Sequence, residues 1–414
     1  MRKTYYLVIF GMCLLTFSRI LEVIFGFPKI INLLHFPFFA ALFLFTLDKE
    51  RLRKDPLIMG IGLLFAVILF SGAINSAGLV NMILDFVLVS EPFMLLAIIV
   101  NIEYSEKMIS RFGKFLLGIG LVHVPFVIYQ WIAQLNMPDT DSIKGVFLEM
   151  GAGHHVLGGV ALICAIYILF SFKSNPKWIR YALAAPLLLI IFISDAKQVI
   201  IAFFAAYFAL NIIKMRSSRK HLKRAIVVMG VIGCLLLLGI TLCNSNACYG
   251  GNKRIVLGLK TKATIFSVID SYHDSNADWL FGAGPGHSVG RFAVLMPKYW
   301  DMISPFGATT SPLTQLGMDA WFSNWASKSS SFFSTGFSWS GILGDIGIIG
   351  FLVYAYLFLV VYRKFCKDDI SKLFLLFMVV LGMIFQWLEE PNFALYGMAV
   401  IGQRWVLWKK CAKE

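Results

Sequence analysis

Pro56-Leu-Ile-Met-Gly-Ile-Gly-Leu-Leu-Phe-Ala-Val-Ile-Leu-Phe-Ser-Gly-Ala73 carries no charged residue. At about 1.5 Å of rise per residue, a helix of this length covers most of the roughly 30 Å hydrocarbon core of a bilayer. The stretch therefore reads as a membrane span. Similar windows recur at about 5–25, 32–47, 81–101, 113–132, 154–172, 179–194, 198–213, 225–243, 339–362, 372–388 and 392–408. Those at 32–47 and 179–194 are the shortest. Twelve windows predict an all-α polytopic membrane protein. Composition agrees: 58% of residues are hydrophobic and 14% charged, against about 25% charged in soluble domains. Arg2 and Lys3 precede the first window as in a signal peptide, but no small-residue cleavage site follows, so it is expected to stay as an anchor.

The net charge of +14 is explained by where the basic residues lie. Arg2/Lys3, Lys49–Lys54, Lys107–Lys114, Lys173–Arg180, Lys214–Arg224, Arg363–Lys372 and Lys409–Lys413 hold most of the 37 lysines and arginines, in alternate turns. Under the positive-inside rule both termini are cytoplasmic, and the basicity reports topology rather than a nucleic-acid partner. The chain then divides into spans 1–9 over residues 1–243, one large external loop over 244–338, and spans 10–12 with a short tail over 339–414. The other external connection of substance is about 133–153. No internal repeat is evident, which argues against a transporter built from paired halves.

Within the large loop, Ile255, Leu259, Ile265 and Ile269 recur at helical spacing. They predict an amphipathic helix over Arg254–Ser271, lying on the outer leaflet or on the spans beneath. Leu280-Phe-Gly-Ala-Gly-Pro-Gly-His287 is a glycine-rich turn, followed by a second short helix near Gly290–Tyr299. The serine-rich stretch Ser327–Ser338 reads as irregular. Cys243 and Cys248 open the loop, where a disulfide and two free thiols are both open readings. The cysteines show no metal-ligand spacing.

Twelve basic residues are not needed for topology: Arg19, Lys29, Lys144, Lys197, Lys253, Arg254, Lys260, Lys262, Arg291, Lys298, Lys328 and Arg404. Arg19 shares a helical face with Glu22 and reads as a local ion pair; Arg404 reads as a snorkelling residue. Lys197, in the tight turn Ser194-Asp-Ala-Lys-Gln198, and Lys144 are cations on span ends. With Arg254, Arg291 and Lys298 from the loop they form a set suited to a phosphate or diphosphate. The bland alternative is solvated charge or contact with anionic lipid. Gly282–Gly286 is no nucleotide loop, lacking a preceding strand and a GK[ST] ending, but its neighbours His287 and Arg291 single it out. His154 and His155 read either as a general base or as a structural pair. Intramembrane Glu91 reads as paired with a buried donor or as part of a proton path. Trp321 and Trp325 are suited to stacking on sugar faces or to interfacial anchoring.

Three segments carry a resemblance. Lys144-Gly-Val-Phe147 precedes a span. Ser194-Asp-Ala-Lys197 is similar to a Ser-Arg-Gly turn. Leu280–Gly286 is followed by Trp339-Ser-Gly-Ile-Leu-Gly-Asp-Ile-Gly-Ile-Ile-Gly350, with Asp345 as the acid of an acidic–x–Gly–hydrophobic–Gly signature. Over about 140–362 the chain resembles the O-antigen ligase and polysaccharide polymerase superfamily of bacterial envelope glycosyltransferases, of GT-C-like architecture. Ligases of that family carry a histidine just before the last signature. Phe333-Ser-Thr-Gly-Phe-Ser-Trp339 has none, which favours a polymerase.

The resemblance implies transfer of a glycan from undecaprenyl diphosphate to an acceptor sugar on the external face of a bacterial inner membrane. It implies no cofactor and no metal. The partners implied are the lipid-linked oligosaccharide, the acceptor glycan, membrane lipids, a chain-length regulator and a flippase. Arg291, Lys197, His287 and His154 are then the expected catalytic residues. Lys144, Lys197, Arg254, Arg291, Lys298, Asp345, Trp321 and Trp325 are the expected substrate contacts. A ligase and a lipid-linked-sugar flippase are the competing readings.

Overall fold

The computed structural model describes residues 2–47, 54–135, 142–148, 150–172, 174–215, 251–323 and 334–412, the first turns of the 251 segment by their backbone alone. All regular structure among them is helical. The helices are α1 (Arg2–Val23), α2 (His35–Thr46) after a 3₁₀ turn at Lys29–Leu33, α3 (Pro56–Ile74), α4 (Leu79–Asn101), α5 (Glu106–Leu121), α6 (His123–Ala133) and α7 (Gly153–Ser171). They continue as α8 (Lys177–Ile193), α9 (Lys197–Met215), α10 (Gly251–Tyr272), α11 (Asn276–Phe281), α12 (Arg291–Ile303), α13 (Pro312–Phe322), α14 (Ser338–Val360), α15 (Asp369–Leu381) and α16 (Pro391–Cys411).

Eight helical segments among the described residues are long and apolar enough to cross a membrane, with α5 and α6 joined in one of them. The protein is thus an all-α membrane protein. Its most buried spans are α7 and α4, with 89% and 83% of the window inside the bundle. α16 packs against both. Helices apolar all round and surrounded by protein form the core; α3 and α14 pair beside it, as do α9 and α15.

The windows at 179–194 and 392–408 form helices, α8 and α16, that are not among these eight. Two more windows differ in shape. The one at 113–132 is broken at Val122 into α5 and α6. The one at 372–388 is not one span: α15 stops at Leu381, and 382–390 form a loop that is buried from Gln386 to Glu390. That loop is held by bonds from its backbone and side chains to other elements. Ser338 Oγ accepts from Leu388 N at 3.0 Å, Ser338 N donates to Phe385 O at 3.2 Å, and Gln386 Nε2 donates to Val289 O at 2.6 Å. The window 225–243, Cys243, Cys248 and Trp325 lie outside the described residues.

The predicted loop helices form at α10 and α12, while α11 and α13 are additional. Ser275 caps α11 in a capping box with Asp278, a signal present in the sequence. Ile265 and Ile269 of α10 are fully buried, and the helix packs on α13 and α14. One face of it therefore rests on protein.

At the end bearing the basic turns, ion pairs tie the helices together. Lys364 meets Asp55 at 2.8 Å and Arg404 meets Asp368 at 2.8 Å; Lys410 pairs with Glu106 and Lys214 with Asp369. Arg404, read from the sequence as snorkelling, is thus an ion-pair partner.

A candidate site of cations over buried carboxylates

The glycine-rich turn and the Asp345 signature, 60 residues apart in the chain, meet in space. α14 breaks at Gly347, where φ is 66° and ψ −169°, a backbone region open to glycine but not to other residues. The break frees two carbonyls. Gly344 O accepts from Ala283 N at 2.8 Å, and Asp345 O from Gly284 N at 3.0 Å. The backbones cross so closely that a Cβ on Gly347 would lie 2.4 Å from the carbonyl of Leu280. Side chains at the ends of α3 and α4 complete the cradle. Ser71 Oγ donates to Phe281 O at 2.6 Å, Asn75 Nδ2 to Gly282 O at 3.0 Å and Asn81 Nδ2 to Pro285 O at 3.1 Å.

The turn then presents its backbone N–H groups to two acids. Ser288 N donates to Asp345 Oδ1 at 2.8 Å, and Arg291 N, opening α12, donates to Glu389 Oε2 at 2.6 Å. An anion at a helix N-terminus is favoured by the free N–H groups and the helix dipole. Between them, a Cβ on Gly290 would fall 2.4 Å from Asp345 Oδ2 and 3.7 Å from Glu389 Oε2. Asp85 of α4, also buried, lies near enough to both acids for their charges to act on it. The Arg291 guanidinium is ion-paired with Glu390. Glu389 lies in the loop between α15 and α16, and burial pushes its carboxyl up to about 8 against the pull of the Arg291 N–H.

Above these acids the cations gather. Arg19, Arg291 and Lys29 lie near enough to act on Lys298, whose ammonium is held below the usual lysine range first by partial burial and then by these three charges. Arg19 and Arg291 line a cavity of about 40 Å³, enough for a water, together with Asn32, His35, Tyr299 and Glu390. Arg19 does pair with Glu22, at 2.8 Å, and also lines this cavity.

Of the residues expected from sequence, Arg291, Lys298 and Asp345 share this region. Lys197 is 80% exposed and pairs with Asp195 at 2.7 Å. The aliphatic part of Lys144 covers Gly153 at the start of α7, and its backbone N–H donates to Gln130 Oε1 at 2.9 Å. Arg254 lies in the first turn of α10, its side chain outside the described residues. His287 is buried, with Nδ1 3.0 Å from Ala283 O and Nε2 2.8 Å from Thr309 Oγ1. A carbonyl only accepts, so Nδ1 carries the proton and Nε2 accepts from the hydroxyl; burial lowers the ring's pKa. Both nitrogens of His287 are thus committed to bracing the turn. His154 packs on His155 with ring centroids 3.8 Å apart, and His155 lies 6.4 Å from Trp387. Trp321 stacks on Phe322 and meets Phe385 edge-on at 6.0 Å. Glu91 has its buried partner in His35, at 2.7 Å.

Sequence reading passed over Glu389, Glu390 and Asp85, and left Lys262 undistinguished among the spare cations. Glu389-Glu390-Pro391 was visible as adjacent acids before a proline in an apolar stretch, the pattern that singled out Glu91-Pro92. Compared with protein-family models and with characterised proteins, the chain matches none.

Proposed function

We propose that the protein is an envelope polysaccharide polymerase that joins lipid-diphosphate-linked repeat units outside the cytoplasm, at the inner membrane of a bacterium. The observation that carries this reading is Arg291, whose N–H binds Glu389 and whose guanidinium binds Glu390 beside Arg19, Lys29 and Lys298. Fixed cations stabilise a departing diphosphate because they need no reorganisation as its charge develops. An acceptor hydroxyl attacks the anomeric carbon, the C–O bond to the lipid diphosphate breaks, and the hydroxyl proton passes to a carboxylate. Glu389 suits that last role: its carboxyl near 8 places base and acid forms close to the working pH. The absence of a histidine in Phe333–Trp339 favours polymerase over ligase.

Two variants test the reading in cells. Arg291→Ala should cut polymer formation by roughly a hundredfold, the scale of losing one transition-state donor, with the protein still in the membrane. Glu389→Gln should do the same and should remove a rise of activity with pH through about 8. Normal polymer in both variants overturns the site. Finished polymer stranded on its carrier, rather than single units, identifies a ligase.

A further inference from the structure

We propose that a cavity at the opposite, basic end of the bundle binds the phosphodiester head group of an anionic phospholipid. The cavity, of about 540 Å³, is lined by Lys54, Glu103, Lys364, Trp405 and Lys409 with Asp55, where α3 and α16 and the ends of α4 and α14 meet. Its volume lies in the range of small-ligand sites.

The charge balance selects the ligand. Lys364 is neutralised by Asp55 at 2.8 Å, whose Oδ1 also caps α3 through Leu57 N at 2.9 Å. Among the described lining residues, Lys54 and Lys409 remain against Glu103, an excess of one positive charge, which matches a singly charged phosphodiester. Lys409 lies 4.9 Å from the centroid of the Trp405 ring, an aromatic suited to the head-group layer. The cavity wall is built by irregular backbone: α14 ends in a π-helical turn, Val361–Phe365, which carries Lys364 and Phe365 into the lining. Such turns are frequent at functional sites.

Exposed apolar side chains distinguish a lipid from a free anion. Met59 and Leu63 on α3, and Leu352, Tyr356 and Leu359 on α14, are exposed along the paired helices that run from the cavity toward the bilayer centre. They offer a track for acyl chains, so head group and tails are served together. Basic pockets between spans on the cytoplasmic side suit anionic head groups. This site is separate from the carboxylate cleft and does not depend on glycosyl transfer.

The test uses the purified full chain in neutral detergent, titrated with phosphatidylglycerol, phosphatidylethanolamine or inorganic phosphate, and read by melting temperature and native mass spectrometry. Phosphatidylglycerol should raise the melting temperature and stay bound; the other two should not. Lys54→Gln with Lys409→Gln should weaken that binding about 25-fold, at about fivefold per lysine. Glu103→Gln, at an exposed position, should tighten it severalfold and keeps the test open if the double variant does not fold. Unchanged affinity in the double variant, or no gain from Glu103→Gln, overturns the proposal. An equal effect of phosphatidylethanolamine overturns the charge argument, and an equal effect of inorganic phosphate overturns the lipid.

Discussion

Lys262 shows what a single residue can hide in a sequence. It was one of twelve basic residues unexplained by topology, with nothing to set it apart. In the fold its ammonium is buried, donates to Ser334 O at 3.3 Å and to Ile384 O, and lies 5.6 Å from the centre of the Phe337 ring. It thereby joins α10 to the loop that carries Glu389 and Glu390. Burial pulls its pKa from 10.5 down to about 7. Between these values the unfolded chain binds more protons than the folded one, so stability rises with pH over that window. Melting of the wild type should therefore climb between pH 7 and 10, and Lys262→Met should flatten the climb. An unchanged slope in the variant would show that Lys262 is not the group responsible. Arg291 was legible because it adjoins a glycine-rich turn, and Asp345 because it stands in a signature. Glu389 stood in a visible Glu-Glu-Pro run and Arg19 beside Glu22, but the nearness of Arg291, 98 residues from Glu389, and of Lys298, far along the chain from Arg19, was not legible.

At the level of elements, periodicity and apolar length located eleven of the helices within a few residues. They failed where backbone bonding outside the helix decides the ending. Residues 382–388 are apolar enough to continue α15, yet Ser338 and Lys262 take up backbone groups of this loop, and the Gln386 side chain anchors it to Val289 O. α14 is the converse case, a continuous apolar run whose helix breaks at Gly347 because the glycine-rich turn bonds its carbonyls. Gly347→Ala should be destabilising by at least the roughly 1–3 kcal/mol of a strained backbone, since its Cβ would also meet the Leu280 carbonyl at 2.4 Å. A lowered melting midpoint together with loss of the Arg291–Glu389 contact is the expected result. Wild-type melting would mean that the crossing can open without cost.

At the scale of the molecule, the bundle has two ends of different chemistry. One gathers paired surface charges around the turns. The other holds Arg291 against carboxylates that have almost no exposure, with Arg19 and Lys29 near enough for their charges to act on Lys298. If the positive-inside rule holds, the second end faces outward. On a cysteine-depleted background, Lys298→Cys should react with an impermeant maleimide added to whole cells, and Lys54→Cys only after lysis. The reverse pattern would invert the molecule and remove the basis for external glycan chemistry.

The amino-acid sequence alone determined that the chain is helical and membrane-embedded, where most of its helices lie, and that basic turns alternate along it. These are local properties: apolar length, period and the position of charge are all carried by contiguous residues. Tertiary structure alone decided which of the spare cations assemble, that His287 braces a turn, and that Asp85, Asp345 and Glu389 share one buried nest. Those outcomes depend on contacts between the ends of different helices. A helix end in an apolar bundle is set by where its unpaired backbone groups find partners, and no window of sequence contains both halves of such a bond.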